Sequence, residues 1–199
     1  MHDGWLYAVI AILALTLALV IFRARSFSFV AQRPEHYADT GPTFDPRTLL
    51  NGVVRSEGMI YGPTGRVTSR FVMQMHGRWD GPTGILTEDF TYATGRTQHR
   101  EWTLVQQGDG RLSATAPDII GEGEGIVSGS SLRLSYRIRL PDDVGGHVLD
   151  VVDWLYLMPN GMILNRSQMR RFGITLAELV ASMRPEDPPQ TPLDEAHHA

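Results

Sequence analysis

The chain contains no cysteine and no lysine. Without cysteine there is no disulfide, no thiolate metal site, no cysteine nucleophile and no lipid carried on a thiol. Without lysine, all 18 basic side chains are Arg, and 22 acids leave a net charge of −4. That balance offers no handle for DNA or RNA, so no nucleic-acid partner is expected. Motifs that carry chemistry are missing too. The seven His residues are scattered, with no HxH or HExxH spacing for zinc. No GxSxG elbow presents a serine nucleophile. Asp142-Asp143 sits in a turn and lacks the rest of a calcium loop. Glu88 and Asp89 are adjacent, so on a strand they point to opposite faces and cannot act as a carboxylate pair. The sequence asks for no metal and no cofactor.

What is present begins with one hydrophobic run. Trp5 to Phe22 reads WLYAVIAILALTLALVIF, with Thr16 as its one clearly polar residue. At helical rise this run spans about 27 Å, close to the hydrocarbon core of a bilayer. Trp5 and Tyr7 stand at one end, where aromatic belts sit, and Arg23 and Arg25 close the other. A cleaved signal peptide wants positive charge before the run and a small-residue cleavage site after it. Here Asp3 precedes and Arg follows. The expectation is an uncleaved, single-pass anchor in an inner membrane, with residues 5–22 as the membrane contact. Arg23, Arg25 and Arg33 follow the helix and none precedes it, which by the positive-inside rule places the remainder on the cytoplasmic side.

Residues 1–25 thus read as anchor and 26–46 as a polar linker containing Pro34 and Pro42. Residues 47–184 read as one β domain, and the Pro-rich, acidic 185–199 as a disordered tail. Asp45-Pro46 predicts one short helix, with Asp as N-cap and Pro at the first position, ending near Asn51-Gly52. Beyond it the pattern has a period of two. Phe71, Met73 and Met75 alternate with Arg70, Gln74 and His76; Leu132, Leu134, Tyr136 and Ile138 alternate with Arg133, Ser135, Arg137 and Arg139. Turn signals such as Thr94-Gly95, Asp109-Gly110 and Asn160-Gly161 recur every eight to fifteen residues. They delimit about nine or ten strands with no helical pattern between them, which excludes βαβ units. The expected fold is all-β: an antiparallel meander closing into a barrel, since closure removes the edges. The last segment, Ile174 to Met183, reads as either a strand or a short helix.

Two hairpins suggest where a pocket lies. A three-residue loop Ala93-Thr94-Gly95 sets Glu88 opposite Arg100 and Leu86 opposite Trp102, with Phe90 and Leu104 on the same face. That places one acid–Arg pair on an apolar face. It is either a brace at the rim or an Arg that grips a ligand by a forked hydrogen bond. A two-residue turn at Asn160-Gly161 would set Leu155 opposite Arg166, Asp153 opposite Gln168, Tyr156 opposite Asn165 and Trp154 opposite Ser167. Asp153 and Arg166 then share one face, while Trp154, Tyr156 and Asn165 share the other; the pattern does not say which is internal. Gly121, Gly123 and Gly125 leave one face of a strand bare, either for close packing or for cavity volume. Arg133, Arg137 and Arg139 form a basic stripe, read as a solvated outer face or a contact for anionic headgroups.

Longer blocks carry a resemblance. GPTFD (Gly41–Asp45), the stretch from Asn51 to Phe71 with GMIYGPTGRVTSRF, GRWDG (Gly77–Gly81) and LTEDFTY (Leu86–Tyr92) form the first half. PDIIGEGEG (Pro117–Gly125), LRLSYRIRLP (Leu132–Pro141), DWLYLM (Asp153–Met158) and LNRSQMRRFG (Leu164–Gly173) form the second. Together they resemble the bacterial family called domain of unknown function 3833, over nearly all of Gly41 to Arg184. The resemblance implies a lipocalin-like barrel and brings no catalytic residues with it. Its members are commonly lipoproteins held by a Cys, which this chain lacks; the hydrophobic helix takes that place. Lipoprotein relatives point to the periplasm and the Arg residues to the cytoplasm, so the side of the membrane stays open.

The function expected from these readings is a membrane-tethered, non-enzymatic barrel that binds a lipid or other amphipathic small molecule. Glu88 with Arg100 and Asp153 with Arg166 would be its polar anchors. Trp102, Trp154, Tyr156, Asn165 and Met73 would complete the candidate site. Two alternatives stand beside it: an enzyme of lipid or envelope metabolism using the same pocket, or an envelope scaffold with a solid core and a protein partner.

Overall fold

A computed structural model describes residues 4–26, 28–142 and 145–186. The expected disordered tail lies outside the described residues from 187 onward. The chain divides into two units, residues 1–36 and 37–199. In the first, the apolar run forms one helix, α1 (Gly4–Ser26), and Gly4–Arg23 is long and apolar enough to cross a membrane.

The second unit opens with a helix of one turn, α2 (Pro46–Leu49), built as its sequence demands. The Asp45 side chain accepts a hydrogen bond from the Arg47 amide at 3.1 Å, and Pro46 occupies the first turn. Ten antiparallel strands follow: β1 (Gly52–Tyr61), β2 (Val67–Asp80), β3 (Thr83–Tyr92), β4 (Thr97–Gln107) and β5 (Arg111–Thr115). The remainder are β6 (Gly123–Ser128), β7 (Ser131–Arg139), β8 (Val148–Leu157), β9 (Ile163–Arg171) and β10 (Ile174–Pro185). Each pairs with its neighbour in sequence, and β1 pairs with β10, so the meander is a closed lipocalin-like barrel. The segment that read as strand or helix is therefore the strand that completes the wall.

The period of two decides what lies inside. Phe71, Met73 and Met75 of β2, Trp102 and Leu104 of β4, Leu132 and Leu134 of β7 and Met183 of β10 are all buried. Each large apolar side chain so removed from water contributes about 1.5–3 kcal/mol. One end of the barrel is plugged by α2 and its flanks, where Phe44, Leu49 and Leu50 are buried. The Leu50 carbonyl lies only 1.8 Å from where a Cβ on Gly77 would stand, and it accepts a hydrogen bond from Trp79 Nε1 at 3.2 Å. Only glycine permits that approach.

Gly123 and Gly125 are buried on the inner face of β6. A Cβ on Gly125 would meet Leu112 at 2.4 Å and Leu134 at 3.0 Å. The bare face serves close packing, and the neighbouring leucines fill the space it leaves.

The register differs from expectation at one hairpin. Met158 N–H donates to Met162 C=O, and Gly161 has φ of 80°, so the loop is Pro159-Asn160-Gly161, three residues rather than two. Partners shift by one: Asp153 faces Ser167, Trp154 faces Arg166, Leu155 faces Asn165 and Tyr156 faces Leu164. Because side chains alternate, this moves Arg166 to the opposite face from Asp153.

Candidate functional site

The centre of the barrel holds a cavity of about 130 Å³. Most of its wall is apolar, including Phe71, Met73, Phe90, Leu134, Met169 and Leu179. Polar side chains interrupt it, and five strands supply them. β3 supplies Glu88, β4 supplies Arg100 and Trp102, β7 supplies Tyr136, and across the barrel β8 and β9 supply Asp153, Asn165 and Ser167.

The β3–β4 hairpin has the register that its three-residue loop predicts, with Glu88 opposite Arg100 and Leu86 opposite Trp102. The hydrogen bonds are distributed differently. Glu88 Oε2 accepts from Trp102 Nε1 at 3.2 Å. Arg100 turns instead to Asp118: its Nε and Nη2 both donate to Oδ1 at 3.1 Å, and Nε lies 3.0 Å from Oδ2. The Arg100 guanidinium also lies 4.0 Å from the centre of the Trp102 ring, a cation–π contact, and the ring meets Tyr136 edge-on at 5.2 Å. Tyr136 donates its hydroxyl to Asp153 Oδ2 at 2.8 Å. Asn165 Nδ2 donates to the Trp154 carbonyl at 3.2 Å, and Ser167 Oγ reaches Asn165 Oδ1 at 3.4 Å. Ser56, on β1, also lines the cavity with an unpartnered hydroxyl.

Burial sets the protonation of this wall. It pushes the Glu88 carboxyl above its ordinary pKa, and the Arg100 charge and the Trp102 hydrogen bond offset only part of that. Burial likewise raises Asp153, against the Ser167 and Tyr136 hydroxyls and the Arg100 charge. Burial and then Asp153 push the Tyr136 phenol well up. Burial opposes the charge on Arg100, but Tyr136, Glu88 and Asp118 together outweigh it and raise its pKa. The arrangement is one fixed cation, partnered by Asp118, beside two carboxyls whose burial raises their pKa above the ordinary value. Such a wall can donate and accept hydrogen bonds to an uncharged polar group, and Arg100 can hold an anion.

Five of the eight sequence-derived candidates face this cavity: Glu88, Arg100, Trp102, Asp153 and Asn165. Met73 does as well. Three do not. Arg166 lies on the outer face, where its Nε bonds Glu178 Oε1 at 2.9 Å. Trp154 and Tyr156 are also outside, stacked with ring centres 5.9 Å apart; Tyr37 covers them, 5.2 Å from Trp154. Trp154 is only 1% exposed, so its burial comes from the segment before α2 and not from the cavity. Tyr136, Ser167 and Asp118 escaped the sequence reading. Tyr136 was legible as the polar member of an inward alternating run. Ser167 required the corrected register, and Asp118 sits in irregular chain that carries no signal. Among the described residues, no three His, Asp or Glu side chains gather to hold a metal.

Comparison with known proteins places the fold. The protein Rv2717c from M. tuberculosis superposes with a TM-score of 0.51 at 18% identity, covering 75% of this chain and all of the other. The S-type phycobiliprotein lyase CPES from Guillardia theta superposes with a TM-score of 0.56 at 7% identity, covering 79% of this chain and 99% of the other. At these identities the likeness is one of fold. No curated protein matches the sequence. A family model matches residues 24–185, and the chain belongs to that family, described as Protein of unknown function (DUF3833).

Proposed function

We propose that this chain is a membrane-anchored, non-enzymatic barrel that binds an amphipathic small molecule, a lipid or a lipid fragment, in its interior. One observation carries the reading: an apolar cavity at the centre of a closed barrel into which polar groups converge, among them a buried Ser56 hydroxyl without a partner. A barrel that served only as a scaffold gains nothing from such groups, because burying them unpaired costs about 1–3 kcal/mol each. A cavity of this size matches one that accepts a benzene-sized guest. It admits one ring or a short branched chain. A longer acyl chain enters only if flexible methionines such as Met73 and Met169 swing aside. Helix α1 would hold the barrel at the bilayer from which such a ligand partitions.

The test is native mass spectrometry of the full chain released from detergent, after exposure to a total lipid extract. A bound species that is lost in Asp153→Leu and kept in Arg166→Ala supports the reading. A clean apo mass throughout removes it and moves the search to protein partners.

The raised pKa values of Glu88 and Asp153, beside the cavity, favour a second reading, in which one serves as general acid toward a molecule bound there. It requires that Asp153→Asn keep binding while turnover of the bound molecule stops.

A further inference from the structure

The wall of the barrel has a seam. Strands β5 and β6 are short, and β4–β5 pairing stops at Thr103 with Thr115. Pairing of β6 with β7 stops at Glu124 with Ser135. Above these points the connection from 116 to 122 stands between β4 and β7. It is stitched to β7: Ile120 N–H donates to Arg137 C=O at 2.9 Å, Arg139 N–H donates to Asp118 C=O at 2.8 Å, and Ile119 bridges Ile138. Among the described residues no backbone hydrogen bond ties it to Thr97–Glu101 of β4. The tie on that side is the Arg100–Asp118 ion pair.

A groove of about 460 Å³ lies outside this seam, with Arg96, Arg100, Asp118 and Arg139 in its wall. Arg100 belongs to the groove and to the inner cavity alike. α2 plugs one end, and Phe71, Phe90 and Tyr92 cluster at the opposite end over β2 and β3, with Phe90 and Tyr92 stacked at 6.1 Å.

We propose that the seam receives the head of an amphipathic carboxylic acid, which takes the place of Asp118 on the Arg100 fork while its apolar body lies in the cavity. This deepens the ligand-binding reading above and rests on it. The fork already holds a planar carboxylate, so an incoming one needs no new geometry. Arg100 is already desolvated, with 13% of its side chain exposed, whereas Asp118 is more exposed at 27% and can return to water. The exchange therefore swaps one anion for another at a cation whose burial is part of the fold. A cationic head would meet three Arg side chains, and a neutral head cannot replace the charge that Asp118 would withdraw. The size of the cavity restricts the body to about one ring or a short branched chain.

The test uses the full chain in a sugar-headed detergent, titrated calorimetrically with 3-phenylpropionate and with its neutral counterpart 3-phenylpropan-1-ol. The wild type should bind the acid at least about tenfold more tightly than the alcohol. Asp118→Asn, which weakens the internal competitor, should tighten the acid several-fold and leave the alcohol unchanged. Arg100→Gln should erase the preference for the acid; should that variant fail to fold, Asp118→Asn still decides. Equal binding of acid and alcohol by the wild type, or weaker acid binding in Asp118→Asn, overturns the carboxylate site and leaves the cavity reading standing. Binding of neither compound by folded protein overturns both.

Discussion

Replacing Gly125 by Ala tests whether the bare face of β6 is packed or empty. The new methyl would stand 2.4 Å from Leu112 and 3.0 Å from Leu134, and Leu112 is 2% exposed with nowhere to retreat. Overpacking of this kind costs about 1–3 kcal/mol. Loss of glycine freedom in the unfolded chain returns about 0.4–1 kcal/mol. The net is a destabilisation of about 1–2 kcal/mol, which for a domain of this size lowers Tm by roughly 2–8 °C. Thermal unfolding of the detergent-solubilised chain, followed by near-UV circular dichroism, measures it. Leu112→Ala alone should cost about 2–5 kcal/mol. Combined with Gly125→Ala it should cost about 1 kcal/mol less than the sum, since the added methyl fills part of the vacated space. A Gly125→Ala protein as stable as the parent, or a strictly additive pair, would refute the packed face.

Glu88 and Asp153 are both held above the usual carboxyl pKa, so the folded chain binds these protons more tightly than the unfolded chain. Their contribution to stability should be full below about pH 4 and decline as pH rises through the raised values. Asp153→Asn should flatten that decline in denaturant midpoints taken from pH 4 to 9; an unchanged slope sinks the assignment. At the β9–β10 turn, Phe172 has φ of 52° beside Gly173 at 81°, a primed turn that favours Asn, and its ring is 88% exposed. Phe172→Asn should therefore raise stability by about 0.5–1 kcal/mol, and a fall in Tm would show that the exposed ring carries packing after all.

The barrel was legible because alternation of period two survives in a wall with one wet face and one apolar face. Both Thr94-Gly95 and Asn160-Gly161 announced hairpins, yet only the first gave its register. Asn-Gly is the strongest two-residue signal, but Pro159 has no N–H with which to close such a loop, and Met158 N–H closes a three-residue one on Met162 C=O instead. That single step separates Arg166 from Asp153 and seats Ser167 opposite the buried acid. Trp154 shows a different limit. A fully buried Trp reads as core, but it lies outside the wall beneath Tyr37, a contact that no local pattern encodes. Asp118 shows the limit most sharply, since its role depends on two strands ending early and on an Arg reaching across the gap.

Pairing of β1 with β10 makes the wall depend on the two extremes of the domain. Gly52 leaves the ribosome long before Pro185, by roughly ten to twenty seconds at ordinary elongation rates. Throughout that interval β1 has a partner on one side only. The growing sheet therefore presents an open edge able to template pairing with other chains. Hairpins along the meander form in microseconds, but closure waits for the contact most distant in sequence. The rate of folding is then set by the meeting of the first and last strands, and a truncation inside β10 leaves the hairpins of β1 to β9 without the strand that closes the barrel.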